Sequence, residues 1–189
     1  ARELDTAGEQ PNIVLIITDD QGYGDLAFTG NTVIKTPALD KLRSQSTLLN
    51  NFHVDPTCAP TRAALMTGRY SSRCGVWHTV QGRNMLRARE TTMADILSEN
   101  GYATGLFGKW HLGSLEGEVP NDRGFDEFHG FLGGAHPYWI SGSRSKIMHN
   151  RKPDPLAKGH ATELFTQWAE DFIRENAGKE SPFFCYLAY

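Results

Sequence analysis

The chain has 189 residues, of which 39% are hydrophobic, and it carries a formal net charge of −3. This length supports a substantial buried core, while the charge provides no basic field that would attract nucleic acid. No apolar run reaches the roughly 18 to 20 residues that span a bilayer, and the polar opening lacks the apolar core of a signal peptide, so we expect no membrane span and an export signal already removed.

Strands and helices alternate along the chain. Asn12 to Thr18 (NIVLIIT) is a continuous apolar run rich in β-branched residues, which predicts a first, central strand covered on both faces. Thr36 and Pro37 then begin a helix through ALDKLRSQ, with Leu39 and Leu42 expected to face inward. TLLNNFHV predicts a short strand after this helix.

The later elements continue this alternation. A second helix is predicted from about Pro60 to Thr67 with Gly68 as its stop, and a third from Thr92 to Gly101. A strand (YATGLFG) follows, and the longest helix covers His160 to Asn176 before a buried strand (PFFCYLAY). Glycine, proline and serine interrupt every periodic run between 113 and 159. The alternation predicts an α/β sheet.

The three cysteines, Cys58, Cys74 and Cys185, are too few and too scattered for a disulfide framework or a structural zinc site. If Cys58 has a chemical role, Cys74 and Cys185 remain as a possible pair, although two buried free thiols are the favoured interpretation. The sequence contains no Asn-x-Ser/Thr sequon, which favours a bacterial source.

Asp19 and Asp20 directly follow the first predicted strand, where ligands of open α/β sheets bind. Two adjacent carboxylates repel each other unless a positive charge lies between them, and a hard divalent cation would supply it. A solvated turn is the alternative, because DDQGYGD is also good turn chemistry. These residues are therefore candidate metal ligands.

Cys58 lies at the N-terminal edge of the second predicted helix, where unpaired N–H groups favour an anion. Arg62, four positions later, can lie on the same face and orient a group at position 58. A thiolate nucleophile would require a histidine base, and His53 and His111 are the candidates. From these residues alone, a buried inert cysteine is the favoured reading.

Lys109 and His111 are two residues apart after a strand, so an extended backbone would place both on one face and Trp110 on the other. Lysine could attract an anionic substrate, and histidine can transfer a proton near neutral pH. Each residue alone is commonly solvated or hydrogen bonded without a catalytic role, but their pairing between glycines favours a site.

Four segments resemble, in order, the N-terminal portion of the sulfatase family of the alkaline phosphatase superfamily: TDDQGYGD, CAPTR followed by TGRY, GYATGLFGKWHLG, and RGFDEFHGF. The resemblance covers nearly the whole chain. It implies a mixed, mostly parallel central sheet with helices on both faces, an α/β fold that is incomplete here. Cys-x-Pro-x-Arg is the family's recognition sequence for conversion of cysteine to formylglycine. Thr61 stands where serine is more frequent, a departure we expect to be tolerated.

The resemblance also implies the chemistry. Asp19, Asp20 and the modified Cys58 would be ligands of a calcium ion, although the sequence does not separate calcium from magnesium. Formylglycine would form a hydrate, one hydroxyl of which attacks sulfur while the other later loses its proton to expel sulfate. A formylglycine-generating enzyme would be a partner during maturation.

Two groups of residues are assigned with the help of the resemblance. Arg62 would stabilise the modified side chain, Lys109 would contact that group and the sulfate, and His111 would hydrogen bond the hydrated aldehyde. GGAHPYW resembles a loop of polysaccharide-active bacterial sulfatases, which makes His136 a candidate for sugar binding; a histidine that supports its own loop is the alternative.

RGFDEFHGF is interpreted as structural. We expect Phe125, Phe128 and Phe131 to pack in the core, and Asp126 to cap a turn or to pair with Arg123.

The expected function is hydrolysis of sulfate esters on a sulfated small molecule or glycan, in the periplasm or outside a bacterial cell. A phosphonate monoester or phosphodiester hydrolase of the same superfamily and a non-catalytic glycan-binding protein are the alternatives. Residues 1–189 are expected to form the N-terminal part of one sulfatase catalytic domain and to be inactive alone. The family's Asp-Asn pair, second lysine and further histidine come from later in the chain, and no Asp-Asn dipeptide occurs here.

Overall fold

The protein is described from a computed structural model, which covers residues 10–80, 82–142 and 145–189. The described chain divides into two compact units, one formed by Thr18–Val54 and the other by the residues on either side of that segment. The larger unit contains all of the β-structure, and the smaller one contains one α-helix and two short 3₁₀ turns.

The strands have the bounds Ile13–Ile17 (β1), Ala103–Lys109 (β2), Glu127–Phe131 (β3), Trp139–Ser141 (β4), Met148–His149 (β5), Lys152–Pro153 (β6), Lys158–His160 (β7) and Phe183–Ala188 (β8). The α-helices have the bounds Pro37–Ser44 (α1), Cys58–Thr67 (α2), Met93–Glu99 (α3) and Ala161–Asn176 (α4). The 3₁₀ turns are Tyr23–Asp25, Ala27–Thr29, Ser71–Cys74 and Pro120–Asp122.

The main sheet has the strand order β1-β8-β2-β3-β5-β6. The first four strands in this order pair in parallel, whereas β5 and β6 are antiparallel to their neighbours. A second, two-stranded antiparallel sheet joins β4 to β7. The expectation of a mixed, mostly parallel sheet is confirmed.

Helices cover both faces of this sheet. The α2 residues Ala59 and Ala63 share one buried cluster with Phe184 and Tyr186 of β8, while Phe165 of α4 belongs to a second cluster. Successive β8 residues point to opposite faces, so Phe183, Cys185 and Leu187 join the α4 cluster. Every residue of β8 is buried, as a two-sided strand requires.

Within the described residues β1 pairs only with β8, so it lies at an edge of the sheet that these residues form. The expectation that the first strand is central and covered on both faces is therefore wrong for this part of the protein. Val14 and Ile16 are 48% and 58% exposed, while Leu15 packs against the core. A continuous apolar run therefore predicted the strand but not its place in the sheet. The strand that is buried along its whole length is β8, which lies between β1 and β2.

The helices follow the signals in the sequence. Thr92 caps α3: its hydroxyl accepts a bond from Asp95 N, and the Asp95 carboxylate accepts one from Thr92 N. This reciprocal pair satisfies two N–H groups that the helix cannot bond internally. Gly68 ends α2 in the left-handed conformation, with φ of 64°. The α2 helix begins at Cys58, two residues before the predicted start.

Two expectations for the smaller unit are wrong. TLLNNFHV has no regular structure, since polar and turn-forming residues interrupt its short apolar run. Leu39 and Leu42 lie on α1 as predicted, but both are exposed. No residue of Thr18–Val54 is buried, so this unit has no core of its own for the helix to face.

The remaining structural expectations are confirmed only in part. Phe125, Phe128 and Phe131 are buried as predicted. Asp126, expected to cap or to pair with Arg123, instead accepts bonds from the backbone N and hydroxyl of Thr104 at 3.0 and 3.1 Å. The Arg123 guanidinium donates to the main-chain carbonyls of residues 86 and 88. All three cysteines are free, which confirms Cys74 and Cys185 as buried thiols.

Candidate active site

Cys58 occupies the first position of α2 and is partly exposed. Thr57, before it, is extended, so the chain enters the helix directly at the cysteine. The Thr61 hydroxyl lies 2.9 Å from the carbonyls of Asp55 and of Thr57. Threonine therefore provides the hydroxyl contact that fixes the first turn of the helix, which agrees with its expected tolerance at this position.

His111 is the histidine that contacts Cys58. Its Nδ1 lies 3.2 Å from Cys58 Sγ, and its Nε2 lies 2.9 Å from the Thr79 carbonyl oxygen. Because a carbonyl only accepts, Nε2 carries the proton in this contact, and the Nδ1 lone pair faces the thiol. Thr79 thus fixes the tautomer in which His111 can accept a proton from the group at position 58.

The backbone at His111 is not extended. Its φ is 61°, in the left-handed region that few residues other than glycine adopt, although histidine is among those enriched there. Lys109 and His111 are both buried, and Trp110 is buried as well, with its indole N–H donating to the Glu118 carbonyl. Strained backbone of this kind concentrates at functional sites, where packing holds it in place.

Arg62 is 1% exposed and lies one turn of α2 after Cys58. Its Nη1 donates to the Lys109 carbonyl at 3.0 Å, and its Nη2 donates to the Tyr189 carbonyl at 3.1 Å. These bonds connect α2 to the ends of β2 and β8, which are neighbours in the sheet. The guanidinium therefore places a buried positive charge at the ends of these two strands and holds them together.

Lys109 is the last residue of β2 and is buried at the carboxyl end of the sheet. The residue before it, Gly108, has φ of 108°, and a Cβ there would lie 1.9 Å from the Ala188 carbonyl oxygen. Only glycine fits at so close an approach of two backbones. The end of β2 that presents Lys109 is consequently fixed against β8.

Asp19 and Asp20 lie in the smaller unit, immediately after β1 in sequence. Asp19 is partly buried, while Asp20 is exposed and has a left-handed backbone with φ of 53°. Two hard carboxylates suit calcium in chemical type, and they supply fewer than the six to eight oxygens that this ion takes. Within residues 10–80, 82–142 and 145–189, no cluster of three or more His, Cys, Asp or Glu side chains is arranged to hold a metal.

His136 lies in the loop before β4. Its Nδ1 is 2.7 Å from the Pro137 carbonyl oxygen, its Nε2 contacts the Ser145 carbonyl, and its ring lies 5.2 Å from that of Phe131. These contacts support the alternative that His136 stabilises its own loop, and its role in sugar binding stays a prediction. His53, the other candidate base, lies in the smaller unit and contacts the side chain of Asn51.

Two residues that contact His111 were not predicted from the sequence. Thr79 acts through its main-chain carbonyl, which no side-chain pattern reveals. Gly134 packs directly against the His111 ring, and the adjacent glycines of GGAHPYW were the available signal.

None of the helices within the described residues combines the length and apolar character needed to cross a membrane.

Comparisons with known proteins show which chains this one is similar to. The sulfatase family model matches residues 11–189. Arylsulfatase J of Mus musculus is 34% identical over 99% of this chain and 33% of the relative. N-acetylgalactosamine-6-sulfatase of Mus musculus is 34% identical, over 96% of this chain and 40% of the relative. The crystal structure of Ps i-CgsB in complex with k-i-k-neocarrahexaose has a TM-score of 0.85 at 34% identity, over 96% of this chain and 45% of that one.

The chain belongs to the sulfatase family. Its mixed, mostly parallel α/β sheet is that of sulfatase structures, which confirms the fold expected from the four sequence segments. The chain spans between about a third and just under half of the length of these relatives.

Proposed function

We propose that the protein hydrolyses sulfate esters of a sulfated carbohydrate, with Cys58 as the reactive position after its conversion to formylglycine. The observation that carries this proposal is the 3.2 Å contact between Cys58 Sγ and His111 Nδ1 at the start of α2. A cysteine in a family of sulfatases, within Cys-x-Pro-x-Arg and next to a histidine of fixed tautomer, matches a site of acid–base chemistry rather than a packed thiol. The formylglycine-generating enzyme would be the partner that modifies it.

The residues around position 58 have separate roles in this proposal. His111 accepts a proton at Nδ1 from the group at position 58 and can return it, because Thr79 keeps the other ring nitrogen protonated. Formylglycine, when present, supplies a hydrated aldehyde oxygen as the nucleophile.

Arg62 and Lys109 supply positive charge for the sulfate. Both side chains are buried near the carboxyl end of the sheet, where electrostatic interactions are stronger than in water. Their charge would stabilise the sulfate oxygens as negative charge shifts toward them in the transition state. The main-chain bonds of Arg62 keep this charge in place before the substrate binds.

Asp19 and Asp20 are the proposed calcium-binding residues. Calcium, when bound, would neutralise negative charge on the sulfate. The support is the chemical type of the two adjacent carboxylates, which are the hard oxygen donors that calcium takes.

The carbohydrate substrate class is supported by the relatives. One is named for N-acetylgalactosamine 6-sulfate chemistry, and one solved structure holds a neocarrahexaose. The proposed location, periplasmic or extracellular in a bacterium, agrees with polymeric substrates of this class and with the absence of a glycosylation sequon.

A direct assay tests the reaction. The gene product that contains this chain, produced in its native host, is given an aryl sulfate and an aryl phosphonate of matched leaving group. We expect clear preference for the sulfate. Preference for the phosphonate would instead assign a phosphonate or phosphodiester hydrolase, and binding of sulfated glycans without any turnover would assign a binding protein.

A further inference from the structure

Trp77 and Arg83 form an exposed aromatic and cationic pair outside the residues already assigned. Trp77 is 57% exposed, Arg83 is also exposed, and the guanidinium carbon lies 4.7 Å from the indole centroid. This is the geometry of a cation–π contact. An exposed indole face beside a guanidinium offers an apolar and a cationic contact together, so the pair is a candidate binding surface.

The main chain holds the pair together. Trp77 N and His78 N both donate to the Arg83 carbonyl, at 3.0 and 3.2 Å. The His78 ring packs edge-on against Trp77 at 6.3 Å, and its Nδ1 accepts a bond from Thr79 N at 2.8 Å. These hydrogen bonds hold the main chain at Trp77 next to the main chain at Arg83, which reduces the entropy that the pair loses when a ligand binds.

The same segment contacts the active site. Thr79, two residues after Trp77, accepts the hydrogen bond from His111 Nε2, and the opposite ring nitrogen faces Cys58. Two residues extend at most about 7 Å, which bounds the main-chain distance from Trp77 to Thr79. The Trp77–Arg83 pair is therefore connected through Thr79 to the imidazole that faces position 58.

The chemistry of the pair specifies a ligand. An indole face packs against the C–H face of a sugar ring, and a guanidinium binds a carboxylate or sulfate through two parallel hydrogen bonds. The chain as a whole has a net charge of −3, so an anionic glycan would gain nothing from the overall field and needs a local cation.

We propose that Trp77 and Arg83 bind the carbohydrate next to the sulfate ester and select substrates that carry a second anionic group. This rests on the proposed sulfatase function. Arg83 would contact the second anion, and Trp77 would pack on the ring that bears it. The pair would therefore determine specificity without touching the ester that is cleaved.

The test compares three sulfated disaccharides with an aryl sulfate, using the gene product that contains this chain. One disaccharide has a neighbouring carboxylate, one has a second sulfate, and one is neutral apart from the ester. Arg83→Gln should raise KM about tenfold or more for at least one dianionic disaccharide while leaving kcat within about twofold. It should change kcat/KM for the neutral disaccharide and the aryl sulfate by less than about twofold. Arg89→Gln, at another exposed arginine, is the matched control and should leave all four substrates unchanged.

Binding to the Cys58→Ala protein separates this proposal from the proposed reaction. The dianionic disaccharides should bind this protein, and adding Arg83→Gln or Trp77→Ala should weaken that binding about tenfold. Binding that is unaffected by both changes would overturn the assignment even if the enzyme is a sulfatase. If Arg83→Gln lowered kcat/KM for the aryl sulfate as much as for the dianionic disaccharides, the assignment would also be overturned, since Arg83 would then act on the reactive site. If the protein that retains Cys58 showed no turnover while binding of the dianionic disaccharides still depended on Arg83, the proposed reaction would be contradicted and the glycan site would stand.

Discussion

Gly134 lies directly against the imidazole ring of His111: a Cβ at Gly134 would stand 2.4 Å from Cε1 and 2.5 Å from Nε2 of that ring. The ring is thus confined between the Gly134 backbone and the Thr79 carbonyl that accepts its proton. His111 itself has a left-handed backbone, so its position depends on these neighbours.

The first prediction follows from this contact. Gly134→Ala should displace the imidazole and lower kcat for an aryl sulfate by about 10- to 100-fold, because small misplacement of a reacting group is costly. Gly133→Ala is the control, since nothing lies within 4 Å of a Cβ at Gly133. Steady-state kinetics and thermal unfolding of both variants would check this. Equal activity of the two would show that the ring does not need this confinement.

Cys58→Ala should abolish turnover and leave the fold intact. The side chain is partly exposed and makes a small contribution to packing, so the melting temperature should change little. In protein from the native host, mass spectrometry of the peptide that contains Cys58 should show sulfur replaced by oxygen. Wild-type turnover in the alanine variant would remove Cys58 from the mechanism.

Asp19→Asn and Asp20→Asn should each weaken calcium binding, because the negative charge at a hard oxygen site falls. Calcium titration by calorimetry and the rise in melting temperature with added calcium would measure the effect. Asp40→Asn is the control in the same unit, where the carboxylate accepts a bond from the Thr36 hydroxyl. Undiminished turnover after complete chelation would be incompatible with the metal assignment.

Arg62→Met should destabilise the protein as well as inactivate it. The substitution removes charged donors from the carbonyls of Lys109 and Tyr189, which we expect to cost on the order of 3 kcal/mol. Arg174→Met, which removes exposed pairs with Glu170 and Asp171, should cost less than about 1 kcal/mol. Urea denaturation would distinguish them. A fully stable but inactive Arg62→Met protein would restrict Arg62 to a role in the reaction.

His129 should make stability depend on pH. Its ring is stacked between Trp168, at 3.4 Å, and His149, at 4.5 Å, and its Nε2 lies 2.9 Å from Asp154. Burial lowers the pKa of His129 to about 4, against the opposing hydrogen bond to Asp154. The imidazole is therefore neutral at pH 7 and donates an N–H to the carboxylate.

The sign of the effect follows from this lowered pKa. Between about pH 6.5 and pH 4 the unfolded state binds a proton at His129 that the folded state does not, so the free energy of unfolding falls as pH decreases. The loss is roughly 3 kcal/mol at most. Burial raises the pKa of Glu127, which acts in the opposite direction. His129→Phe keeps a stacked ring and should flatten the dependence in urea denaturation measured across this range. An unchanged slope would assign the effect to other groups.

The sequence predicted most of the elements because apolar runs and caps are local patterns that indicate strands and helices. The residues alone favoured an inert Cys58 and left both His53 and His111 as its candidate base; the resemblance to sulfatases assigned His111, which lies 3.2 Å from Cys58. The role of Cys58 stays a prediction. The position of β1 at an edge was not predictable from its composition, since strand order depends on pairing between distant residues. The roles of Thr79 and Gly134 also depend on backbone atoms that approach only after folding.

The strand order also has a consequence for how the chain folds. The strand β8, made of Phe183–Ala188, lies between β1 and β2, and Ile13 pairs in register with Phe184. The chain between β1 and β8 must close as one long loop, which is entropically costly and slows folding. During synthesis on the ribosome β1 therefore lacks its partner, and its apolar edge stays unpaired until β8 has been made. An unpaired apolar edge of this kind is a site of misassociation, which a chaperone would cover.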